Sequence, residues 1–129
     1  MNINLNPADG VPIYRQIVSQ IKYLVASRLL ARGEELPSIR ALAQTLRVTP
    51  TTILHAYGEL EAAGIVHKRR GSGTFVSDAR LHFTQAERRR LLEPRITSLL
   101  AEAHQLNFTP QDVLRMVAEH RAEMDRDRD

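Results

Sequence analysis

From Asn2 to Gly10, Ile3 and Leu5 alternate with polar residues and the run closes on Asp9-Gly10, which predicts a short extended arm ending in a turn. The period then changes. Ile13, Ile17, Ile21, Leu24 and Val25 recur at spacings of three and four, predicting a helix from Val11 to Ala31 with Pro12 in its first turn and Gly33 beyond its end. Pro37 forces a break, and Ser38 is a good cap for a second helix, Ser38 to Leu46, with Ile39, Leu42, Ala43 and Leu46 on one side. Only Arg47 and Val48 precede Thr49, another capping residue. A third stripe follows, Ile53, Ala56, Tyr57, Leu60 and Ala63, ended by Gly64, so helix three spans Thr49 to Ala63. Beyond it, Ile65 to Arg70 and Thr74 to Ser77 are short, partly β-branched runs on either side of Gly71-Ser72-Gly73, the mark of a small hairpin.

After Asp78 a connector leads to Thr84-Gln85-Ala86-Glu87, a capping box. Leu91, Leu92, Ile96, Leu99, Leu100, Ala103 and Leu106 continue as a helical stripe, in which Pro94 is expected to kink or divide the helix. Asn107 ends it. Thr109-Pro110-Gln111-Asp112 opens a last helix with Val113, Leu114, Val117 and Met124 on one side, and the charged tail from Asp125 is expected to fray. Two such helices carry too few large apolar residues for a core of their own, yet each has a clear apolar side. A second copy of the chain is the simplest cover. Folding back on the first part of the same chain is the alternative.

Composition narrows the class. A chain of 129 residues with 43% hydrophobic positions builds one folded domain plus an appendage. There is no cysteine, which excludes disulfides and thiolate metal sites and makes the cytoplasm the default compartment. No apolar run approaches the ~18 residues of a membrane span, and Met1 to Pro12 lacks the basic start and apolar stretch of a signal peptide. The net charge of +3 is unevenly placed: residues 1–78 hold nine Lys/Arg against six Asp/Glu, while residues 79–129 hold nine of each. A polyanion would therefore meet the first part.

That first part also carries the candidate chemistry. At the start of the third helix, Thr49, Pro50, Thr51 and Thr52 offer three hydroxyls and free backbone amides that can cap the helix, bond phosphates or meet base edges in a major groove. Leu54, His55 and Gly58 fall on the outward side, where Leu54 suits a thymine methyl and His55 either donates to DNA or is simply solvated. Ser38 and Arg40 open the preceding helix, an amide-rich end beside a guanidinium that suits a phosphate or a guanine edge. Lys68, Arg69 and Arg70 sit next to Gly71, Ser72 and Gly73, a cationic ribbon whose narrow tip suits a DNA backbone and minor groove. A charge run is commonly only a solvated face; here it follows a helix pair joined by a tight turn.

Five motifs stand in register: Pro12-Ile13-Tyr14-x-Gln16-Ile17, Leu36-Pro37-Ser38-x-Arg40-x-Leu42-Ala43, Val48-Thr49-x-x-Thr52, Ala56-Tyr57-x-x-Leu60-Glu61-x-x-Gly64 and Arg70-Gly71-x-Gly73-Thr74-Phe75-Val76. Over residues 11 to 77 the chain resembles the GntR family of bacterial transcription regulators, and its short helical remainder resembles the YtrA-type subfamily. The resemblance implies a mainly α fold with a small β-hairpin: a winged helix-turn-helix DNA-binding domain at 1–78 and a two-helix dimerisation segment at 79–129. It implies a homodimer on a palindromic double-stranded DNA operator, as a repressor, with DNA contacts at Ser38, Arg40, Thr49, Thr51, Thr52, Arg70 and Gly71. Pro50 and Leu54 fall where members vary, and Arg69 and Ser72 flank the wing contact. Leu92, Ile96, Leu99, Leu100, Ala103, Leu106, Val113, Leu114 and Val117 are the expected dimer contacts. Arg47 stands where the family usually has a turn glycine, and Pro50 replaces a small polar residue.

Nothing in the sequence gathers a nucleophile, a base and an orienting group, so no enzyme activity and no cofactor are expected. His55, His67, His82, His104 and His120 are scattered, which argues against a metal site. No feature identifies a small-molecule effector. The competing reading is a winged-helix module that binds protein or RNA instead of DNA.

Overall fold

The computed structural model describes residues 1–77 and 83–128. Among these, a 3-10 turn at Pro7–Asp9 is followed by α1 (Ile13–Ala26), α2 (Ile39–Leu46), α3 (Pro50–Ala62), β1 (Val66–Arg69), β2 (Gly73–Val76), α4 (Gln85–Gln105) and α5 (Pro110–Asp127). The chain divides into two compact units, Met1–Leu91 and Leu92–Asp129. The domain boundary expected between residues 78 and 79 lies outside the described residues, as does His82.

In the first unit the apolar stripes of three helices and the wing meet in one core. Ile17, Ile21, Ile53, Leu60 and Val76 have no exposed surface, and Tyr57 keeps only 1%. α1 and α3 supply half of its buried residues, as their three-and-four spacing requires. The arm joins through Ile3, which is buried against the same cluster.

Two glutamines of α1 hold the arm in place. Gln20 pairs through its amide with Asn4, accepting from the Asn4 N–H at 2.8 Å and donating to its carbonyl at 2.6 Å. Gln16 does the same at Asn6, at 2.8 and 2.9 Å. Two residues of extended chain span about 6.8 Å and four of helix about 6 Å, so the two ladders match in pitch and the glutamine amides stand in for a neighbouring strand.

α1 is shorter than its apolar pattern predicts. It ends at Ala26 instead of running to Ala31, because Arg28 takes a left-handed conformation (φ 64°). The Leu30 N–H then returns to the Leu24 carbonyl at 3.0 Å, and Leu30 folds into the core. Glycine is the usual residue for such a stop, and arginine hides the signal.

The hairpin pairs Val66 with Val76, His67 with Phe75, Lys68 with Thr74 and Arg69 with Gly73. Alternation sends Val66, Thr74 and Val76 inward. A third edge also forms: the Leu36 N–H donates to the Thr74 carbonyl, the Val76 N–H to Glu34 and the Gly33 N–H to Val76, at 2.8, 2.8 and 3.0 Å. The segment before α2 thereby braces the wing.

α4 runs past Pro94 without being divided, although proline leaves the Arg90 carbonyl without its helical donor. The boundary between the units falls in the turn before that proline. In the second unit, α4 and α5 are joined through Asn107 in a left-handed conformation (φ 66°) and a capping box, with the Asp112 N–H donating to Thr109 Oγ1 at 3.1 Å and the Thr109 N–H to Asp112 Oδ2 at 2.9 Å. The α4 box predicted at Thr84 and Glu87 forms in the same way.

Candidate nucleic-acid interface

The turn between α2 and α3 is set by backbone geometry. Arg47 adopts φ 57° and ψ 46°, the left-handed conformation that a glycine would take without cost, and the Val48 N–H closes onto the Ala43 carbonyl at 3.0 Å. Tyr57 fixes the crossing of the two helices. Its buried hydroxyl donates to the Pro37 carbonyl at 2.8 Å, just before α2 begins. Burial pushes the Tyr57 phenol far above its ordinary value, so it remains a donor.

At the start of α2, Ser38 accepts the Ala41 N–H at 3.1 Å. Its own O–H stays available to donate. Arg40, two residues on, is exposed. At the start of α3, Pro50 occupies the first turn, where its missing N–H costs nothing. Thr49 is the cap residue by backbone geometry, but its side chain does not cap; its hydroxyl meets that of Thr52 at 3.1 Å instead. Thr51, Leu54, His55 and Gly58 are exposed along one side of the helix.

His55 is not a freely solvated imidazole. Its ring stacks on Tyr14 of α1, with centroids 3.9 Å apart and planes 17° from parallel, and its Nε2 lies 3.7 Å from Glu59. The sequence signals nothing of this pair, since Tyr14 and His55 belong to different helical stripes.

The wing presents its cations around a tight tip. The Ser72 N–H donates to the Arg69 carbonyl at 3.0 Å, and Gly71 within this turn has φ 77°. Gly73, at φ 114°, takes a backbone conformation that side chains rarely adopt, and the Glu35 carboxylate lies close beside it. Arg69 lays its guanidinium over Phe75, 4.4 Å from the ring centroid. Lys68 reaches Glu61 at 3.9 Å, linking the wing to the end of α3. Arg70 projects from the exposed tip.

The candidate DNA-contacting residues, from Ser38 to Gly73, thus all lie in the first unit, exposed except for the half-buried Thr52. The candidate dimer residues from Leu92 to Val117 all lie in the second. There only Ala103 and Val113 are buried; Leu92, Ile96, Leu99, Leu100, Leu106, Leu114 and Val117 keep 40 to 69% of their surface exposed. Leu99, Ala103, Leu106, Val113, Met116 and Val117 line an apolar groove of about 870 Å³. Among the described residues no three His, Cys, Asp or Glu side chains gather as a metal site requires, and no helix is long and apolar enough to cross a membrane.

Comparison with known proteins places this geometry. The profile of the bacterial regulatory proteins of the gntR family matches residues 13–76. The HTH-type transcriptional repressor YtrA of Bacillus subtilis (strain 168) is 33% identical over 102 residues, covering 79% of this chain and 78% of that protein. The structure of YtrA from Sulfolobus acidocaldarius, a GntR-family transcription factor, superposes with a TM-score of 0.56 at 28% identity, over 95% of this chain and 99% of the other. The DNA-binding domain of AraR in complex with operator ORE1 superposes with a TM-score of 0.51 at 26% identity, covering 60% of this chain and 94% of that domain.

Proposed function

The chain belongs to the GntR family of bacterial regulatory proteins, in its YtrA-type branch, and on that premise we propose that it is a cytoplasmic repressor that grips a palindromic DNA operator as a homodimer. It is a transcription regulator and not an enzyme. In each protomer α3 enters a major groove with Thr49, Pro50, Thr51, Thr52 and Leu54 toward the bases. Ser38 and Arg40 hold the flank, and the wing from Lys68 to Gly73 follows the backbone toward the minor groove. α4 and α5 close the dimer through their apolar sides.

The observation that carries this reading is the cluster of exposed hydroxyl and guanidinium groups at the starts of two helices joined by a rigid turn, beside a cationic glycine-tipped hairpin. The fold it shares with an operator-bound domain supports the same use of that surface. The repressor role is supported by the resemblance to YtrA of Bacillus subtilis, itself a repressor. The dimer is supported by the uncovered leucines of the second unit.

The test is equilibrium binding to a duplex selected by the protein from a random pool, over a salt series. Affinity should fall steeply, with a log–log slope of about 0.9 per phosphate neutralised. Arg40→Ala should weaken binding by about 1–3 kcal/mol if the guanidinium meets a base edge. A salt-independent affinity, with no preference over random duplex, would instead mark a winged helix serving protein or RNA.

A further inference from the structure

The DNA-facing surface described so far begins at α2, yet α1 reaches the same face. Ile53, Ala56, Tyr57 and Leu60 are buried and mark the inward side of α3. At about 100° per residue, Thr51, His55 and Gly58 fall within roughly 60° of one another on the opposite side, with His55 among them. The Tyr14 ring lies on His55 at 3.9 Å, so it stands beside the outward side of the recognition helix although it belongs to α1. Arg15 is exposed with its guanidinium 5.8 Å from the Tyr14 ring centroid, and among the described residues no carboxylate pairs with it.

We propose that Tyr14 and Arg15 form a phosphate-contacting edge of the DNA interface on α1, with His55 acting as the positioning residue that holds the Tyr14 ring in place. The chemistry fits a backbone phosphate. A phenol O–H donates one hydrogen bond, and a guanidinium adds a charge-assisted, forked contact, neither of which reads sequence. Stacking uses one face of the imidazole. Glu59 Oε1 lies 3.7 Å from Nε2, at the edge of the ring. His55 then serves α1 more than it serves a base. This inference rests on the DNA-binding reading above, and its test separates the two.

The full-length protein is titrated with its selected duplex and with an unrelated duplex of equal length, across a salt series. Arg15→Gln should lower affinity for both duplexes by the same factor and reduce the salt slope by about one. Tyr14→Phe keeps the stack and removes only the hydroxyl; a loss of about fivefold on both duplexes is expected, the size of one modest hydrogen bond. In a Tyr14→Ala background, His55→Ala should cause no further loss, because its partner is already gone. If Arg15→Gln and Tyr14→Phe bind as the wild type does while Arg40→Ala binds more weakly, the α1 edge is refuted and the operator-binding reading stands. A loss confined to the selected duplex would also refute it, since it would make these residues readers of sequence. Wild-type protein indifferent to salt and to duplex sequence would end both.

Discussion

In the first unit Ile17, Ile53 and Leu60 have no exposed surface, while in the second Leu106 and Leu114 keep 69% and 68% of theirs. Both regions carry amphipathic helices but use their apolar stripes differently. α1, α3 and the wing enclose their inward-facing apolar residues, Leu60 among them, and Tyr57 buries its ring and bonds its hydroxyl to Pro37 in the same space. Among the described residues of α4 and α5, Ala103 and Val113 are the buried positions, and the long side chains are left along an open groove. Exposed apolar patches of that kind mark interaction surfaces. A stripe at helical spacing therefore does not by itself distinguish a core from an interface. The number of elements available to cover it does.

The strongest way to break this contrast is to charge the groove. Leu99→Asp should abolish the dimer, read as a monomer by sedimentation, and lower operator affinity by about 10²–10⁴, the usual advantage of a linked second site. A variant that stays dimeric would remove the second unit from the interface. Next in size, Leu60→Ala should cost about 2–5 kcal/mol of unfolding free energy, measured by urea titration. Leu114→Ala, made in the monomeric Leu99→Asp background, should stay within about 0.5 kcal/mol, as an exposed site would. Equal losses at the two positions would erase the difference between the units.

The smallest effect concerns the start of α5. The Thr109 backbone N–H, and then its hydroxyl, hold the Asp112 carboxyl below its ordinary value of 3.8. The carboxylate's contribution is therefore complete above that ordinary value and is lost as pH falls through the lower, folded-state one. Helical ellipticity should decline modestly in that acid range, and Asp112→Asn should remove this dependence while leaving the first unit's unfolding unchanged.

Much of the first unit was legible because its signals are local. Pro37-Ser38 announces α2, Thr49-Pro50 and Gly64 bracket α3, and Gly71-Ser72-Gly73 sits at the hairpin tip; each is read within a few residues. What escaped depends on partners distant in sequence or on conformations the residue type conceals. Arg28 ends α1 with a positive φ that its side chain does not advertise. Residues 33 to 36 brace the wing through bonds to residues forty positions away. Gln16 and Gln20 read as polar positions on a helix, and only the folded arm shows what their amides hold. For the candidate interface, sequence named the exposed residues of α2, α3 and the wing, but it left His55 open between DNA and solvent and gave no hint of its stack on Tyr14.

The division of labour between the units is tested most directly by comparing affinities for two duplexes, one carrying both halves of the selected operator and one carrying a single half. The wild type should prefer the complete site by at least about 10²-fold, and Val117→Asp should bind both duplexes alike, at the wild type's single-half affinity. A wild type that binds one half as tightly as two, or a Val117→Asp protein that keeps the preference, would contradict the account.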